Sequence, residues 1–93
     1  MKSPAMTPLL PRRRDLPSSP VGRELMVRDP ESGQVHFFNA AARFIWDSCD
    51  GATSIRECAM RLRAEFSVPE TVDLQADIAE TLADFSQKGL LTC

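Results

Sequence analysis

Ninety-three residues, 43% of them hydrophobic and 26% charged, with seven prolines and four glycines, suffice for one domain and not for two. A chain of that size excludes most enzyme folds that enclose an active site. The formal charge of −2 divides unevenly: residues 1–28 hold six Lys/Arg against two acids and residues 29–93 five against eleven, an acidic body behind a basic N-terminal segment.

Residues 1–22 read as a flexible Pro/Arg-rich arm and residues 23–93 as the domain. Prolines at 4, 8, 11, 17 and 20, with the run Arg12, Arg13, Arg14, leave little backbone that could join a helix or a central strand. At most a short edge strand fits near residues 15–18. Such an arm is a solvated tail, or it touches nucleic acid or an acidic surface.

From Glu24 the pattern changes. Leu25 and Val27 alternate with Met26 and Arg28, the run Asp29-Pro30-Glu31-Ser32-Gly33 supplies turn chemistry, and Val35, His36, Phe37 and Phe38 follow as an apolar, aromatic stretch. This predicts a β-hairpin, with Pro30 fixing φ and Gly33 free to take a positive one. Asn39 caps a first helix whose stripe is Ala42, Ile45, Trp46 and Cys49, ending near Asp50 with Gly51 at C′. Ser54 and Glu57 have capping-box spacing and open a second helix with the stripe Ile55, Cys58, Ala59, Leu62, Phe66. Residues 67–70 are a connector or the first turn of a third helix, which carries Leu74, Ile78, Leu82 and Phe85 and stops at Lys88-Gly89. The order is that of a small α+β domain.

Cys49, Cys58 and Cys93 cannot all pair within one chain, and none stands in a C-x-x-C or Cys/His metal spacing. They read as reduced thiols of a cytoplasmic protein. His36 is the single histidine, so no Cys-His or Ser-His-Asp set for nucleophilic catalysis and no ligand group for zinc can form. No enzymatic activity, cofactor or metal is expected. No apolar run approaches the ~20 residues of a membrane span, and the basic cluster follows Leu9 and Leu10, the reverse of a signal peptide.

At about 100° per residue the third helix has three sectors beside one another. Leu74, Ile78, Leu82 and Phe85 form the core stripe. Asp73, Asp77, Glu80 and Asp84 share one flank, and Gln75, Ala79, Ala83 and Ser86 the other, where small uncharged side chains would admit a further chain. The hairpin leaves a sheet edge unless the arm covers it, and an exposed edge beside an apolar groove is what β-augmentation needs; Val35 and Phe37 could equally finish the core. Phe44 lies about 160° from the centre of the first helix's stripe and is a candidate partner contact.

Phe38-Asn39, Ala42, Ile45-Trp46, Asp50-Gly51 with Thr53, Ile55 with Glu57, Phe66, Asp77, Leu82 and Gly89-Leu90-Leu91 together resemble the pattern of PqqD-like proteins over residues 24–91. The resemblance implies a winged-helix-like domain, a short antiparallel sheet of two to three strands followed by three helices, also called a RiPP recognition element. It implies a non-catalytic adaptor that binds the leader of a ribosomally made precursor peptide and presents it to a modifying enzyme, such as a radical SAM protein of pyrroloquinoline quinone biosynthesis. The leader would add to a strand of residues 34–38, in the groove toward the third helix. The site residues so implied are Gln34, Val35, His36, Phe37, Gln75, Ala79, Ala83 and Ser86, and Ala83→Glu would put a charge into the groove. Phe38 replaces the family's usual Leu, the first strand would fall near residues 15–19 among prolines, and the arginine run lies outside the motif.

Two other functions compete. A winged-helix DNA-binding regulator would need a basic surface, whereas the two later helices carry Glu57, Glu65, Asp73, Asp77, Glu80 and Asp84 against Arg56, Arg61, Arg63 and Lys88. A structural subunit could dock on an enzyme through Phe44 and the acidic flank. Open sheet edges would also let two copies pair.

Overall fold

The computed structural model describes residues 8–92; the expectations for Pro4 and Cys93 fall outside them. The chain runs β1 (Ser18–Val21), β2 (Glu24–Arg28), β3 (Val35–Phe38), α1 (Ala40–Ser48), α2 (Ile55–Phe66) and α3 (Leu74–Gln87). Both sheet pairings are antiparallel, in the order β1-β2-β3. The α+β, winged-helix-like order expected from the sequence is the one observed.

The local signals act as their chemistry requires. Gly33 takes φ 76° and its N–H donates to Asp29 O at 2.8 Å, closing the hairpin. Asn39 Oδ1 accepts from Ala42 N–H at the start of α1, and Ser54 and Glu57 form both halves of the capping box at the start of α2. Gly89, at φ 73°, follows the last turn of α3. Residues 67–73 are all connector: α3 begins with Asp73 as its N-cap, and Arg63 holds the loop by donating to the carbonyls of Val68, Pro69 and Val72.

Gly51 is displaced from its expected place. Helix α1 stops at Ser48 with Cys49 as C-cap, and Gly51 lies in a turn organised by the Asp50 carboxylate, which accepts from the N–H groups of Ala52 and Thr53. Strand β1 is also displaced, to residues 18–21, and it includes Pro20 opposite Leu25. Arg28 N–H donates to Pro17 O, so alternation along the ladder aims the nitrogen of residue 20 outward, where a proline costs no bond.

The core centres on Phe38, Trp46 and Phe85, whose ring centroids lie 4.9–5.4 Å apart and which bring together β3, α1 and α3. Leu25, Val27, Ile45, Cys49, Cys58, Leu62, Leu74, Ile78 and Leu90 complete it. Phe44 is drawn in as well. It is half-buried and meets Phe66 edge-on at 6.1 Å, because α1 is flanked by α2 on one side and by the sheet on the other.

The largest departure concerns the N-terminal arm. Leu10 is 1% exposed and belongs to the core. The backbone around it is bonded throughout: Ile55 N–H donates to Pro8 O, Leu10 N–H to Thr53 O, Arg13 N–H to Cys49 O, Arg14 N–H to Leu90 O, and Thr92 N–H to Arg12 O, all at 2.8–2.9 Å. From Pro8 onward the arm is therefore a strap tied to the domain. Prolines kept residues 8–17 out of the sheet but left the intervening N–H groups free to bond loops and helix ends.

An open strand edge beside the third helix

Asp29 N–H donates to Gln34 O at 2.9 Å, which makes 29:34 a bonded pair of the β2–β3 ladder. Bonded and non-bonded pairs alternate in an antiparallel ladder, so Val27:His36 and Leu25:Phe38 are bonded and Val35 and Phe37 are not. The N–H and C=O groups of Val35 and Phe37 consequently point away from β2. Among the described residues no strand pairs with that edge. The same two residues turn their side chains to the outer face of the sheet, where Phe37 is 71% exposed and Val35 44%. His36 and Phe38 point inward: Phe38 is buried, and His36 is half-buried with its Nε2 enclosed and unpartnered.

Between this edge and α3 lies a cleft of about 320 Å3 lined by Phe37, Phe38, Asn39 and Ala42 on one side and by Glu80, Thr81, Asp84, Phe85 and Lys88 on the other. Side chains alone bridge it at the base, Phe38 against Phe85. A strand added to β3 would sit about 4.8 Å from it.

The helix wall differs from the expected one. Glu80 and Asp84, of the acidic flank, face the cleft, whereas Gln75 borders a different depression, of about 480 Å3, with Arg56, Met60 and Arg63. Ala79, Ala83 and Ser86 are exposed and share Gln75's side of the helix. The neutral sector thus faces away from β3. Helical periodicity defines two flanks but not which one the fold turns toward the sheet, and here the acidic one lines the cleft while the neutral one stays exposed. Of the expected residues, Val35 and Phe37 meet at the edge, Gln34 lies just before it and His36 beneath it. Glu80, Thr81, Asp84 and Lys88 were missed as cleft residues; the acidic stripe was the signal that held two of them.

The larger α2–α3 depression borders no strand edge, and the Arg63 guanidinium in it is already taken up by three carbonyls. The arginine run is similarly engaged. Arg13 Nη1 reaches the carbonyls of Trp46, Asp47 and Cys49 at 3.3–3.4 Å, and Arg14 donates to Asp29, Glu31 and Gly89 O at 2.8–3.2 Å. Two of the three arginines that could have faced nucleic acid are spent within the domain. Among the described residues no group of three or more His, Cys, Asp or Glu could hold a metal ion, and no helix is long and apolar enough to cross a membrane.

A three-stranded antiparallel sheet backed by three helices, with one edge open beside a helix-walled cleft, defines a winged-helix-like domain able to accept a further strand. The family model for Coenzyme PQQ synthesis protein D (PqqD) matches residues 24–91, and the chain belongs to that family. Its fold is shared with the solved structure of TbiB1 in complex with the TbiA(beta) leader peptide, at a TM-score of 0.73 and 21% identity over 86% of this chain and 93% of that one. No curated protein is matched at a significant level.

Proposed function

We propose that this protein is a non-catalytic peptide-binding adaptor: it holds the leader of a ribosomally made precursor peptide as an added strand on β3 and presents it, in the cytoplasm, to a modifying enzyme such as a radical SAM protein. The observation that carries this reading is the pair Val35 and Phe37, whose backbone groups face an open edge beside the β3–α3 cleft. Membership of the PqqD family and a fold shared with a protein solved in complex with a leader peptide support it. Gln34, Val35, His36 and Phe37 are the strand contacts. On α3 the contacts are Glu80, Thr81, Asp84 and Lys88, in place of the neutral sector.

The test is a titration of isotope-labelled protein with synthetic leaders of any short precursor peptides encoded near its gene. Amide shifts are expected at residues 34–38 and along the 80–88 side of α3; unchanged spectra at high peptide concentration would refute the reading. Val35→Pro removes an N–H that bonds nothing within the sheet, so the fold is expected to hold while affinity falls about tenfold, the equivalent of roughly 1.4 kcal/mol. Ala83→Glu is expected to leave affinity unchanged, since Ala83 does not face the cleft.

A further inference from the structure

We infer that the occupant of the β3–α3 cleft carries a lysine or arginine opposite Glu80, and that Glu80 sets this preference; the inference rests on the strand-addition reading above. Three charged side chains line the cleft: Glu80, Asp84 and Lys88. Lys88 Nζ is 2.9 Å from Asp84 Oδ2, so these two largely satisfy one another. Glu80 has no ion-pair partner among the described residues. The wall that a bound strand would face is thus left with unbalanced negative charge, while its other wall, Phe37, Phe38, Asn39 and Ala42, carries none. The cations of β2 and the strap do not compensate: Arg28 stands on the outer sheet face opposite Val35, and Arg14 is held by Asp29 and Glu31.

Geometry narrows the position. Alternate residues of an added strand point toward α3, about 6.6 Å apart, and residues four apart on a helix rise about 6 Å. One inward-facing position can therefore meet Glu80 while the next meets the neutralised Asp84–Lys88 pair. A cation at the first gains an unpaired carboxylate; an acid there meets repulsion. A partly exposed pair of this kind is worth about 0.2–1 kcal/mol, which corresponds to a roughly 1.5- to 5-fold preference, stronger at low ionic strength.

The probe is a display library of random 12-residue peptides selected on the full chain. The wild-type protein is expected to enrich peptides with Lys or Arg at a fixed spacing from an apolar residue, and replacing that cation with Ala should weaken binding about 1.5- to 5-fold. Glu80→Lys, at an exposed position that does not threaten the fold, should turn the enrichment at that position to Asp or Glu. Enriched peptides that lose affinity to Val35→Pro yet show no basic preference, or the same preference with Glu80→Lys, would overturn the inference and leave strand addition standing. A library from which the wild-type protein enriches nothing would overturn both.

Discussion

Arg13 supplies the cation that α1 lacks in its own last turn. Its guanidinium lies on the helix's final carbonyls from thirty-odd residues away, where a positive charge stabilises the negative end of the dipole. Arg14 joins the hairpin turn to the end of α3 through Asp29 and Gly89 O. Burial works against the charge of Asp29, yet the Glu31 N–H and Arg14 outweigh it and hold its pKa below the ordinary 3.8; the N–H groups of Ala52 and Thr53 lower that of Asp50. Both carboxyls bind a proton less readily in the folded chain, so each stabilises the fold above about pH 4 and loses that contribution as pH falls through its folded pKa. Replacing both by Asn is expected to lower the urea midpoint at neutral pH and to flatten its decline between about pH 5 and pH 3; an undiminished decline would count against this account. Burial, reinforced by the neighbouring Cys58, pushes the Cys49 thiol up to about 12, and burial raises that of Cys58. In a Cys93→Ser variant neither thiol should react with iodoacetamide at neutral pH until the chain is unfolded.

At the scale of elements, the boundaries that the sequence placed correctly came from contacts within four residues: the Asn39 cap, the Ser54–Glu57 box, Gly33 in the hairpin and Gly89 after α3. Such contacts were legible because they need no tertiary partner. Helix α2 ends differently, with Ser67 at φ 52° and ψ 46°, a left-handed conformation that a side chain disfavours. Ser67→Gly should therefore raise stability by about 0.5–1 kcal/mol, the relief of strain exceeding the added freedom of the unfolded chain. A lower unfolding midpoint would show that the serine side chain makes a compensating contact. Strand β3 joins two roles in four residues. Its inward residues anchor the aromatic core and its outward ones leave backbone free, so Val35→Pro separates binding from stability where a change at Phe38 could not.

Over the whole molecule, the strap extends the structural unit beyond residues 24–91 of the family match. Leu10 is as deeply buried as Phe85, each at 1% exposure. Leu10→Ala is expected to cost about 2–5 kcal/mol, a large part of the ~5–15 kcal/mol that holds a domain of this kind. A chain beginning at Ser18 loses Leu10, Arg13 and Arg14 together and should unfold without a cooperative transition; a sharp urea transition from that truncated chain would show the strap to be dispensable.

What the sequence determined by itself was the order of elements, their caps and turns, the inward stripe of each helix and the hairpin that bears the open edge, since periodicity and short-range hydrogen bonding specify all of these. Two things were left to the tertiary structure. The docking of residues 8–16 depends on partners forty and eighty positions away, and Leu9 and Leu10 between two prolines carry no periodic signal of which one is buried. The side of α3 that meets the cleft depends on the sense in which three helices wrap the sheet. A helix with one core stripe has two flanks that its sequence cannot assign, and the fold leaves the neutral flank exposed while the acidic one meets the cleft beside β3.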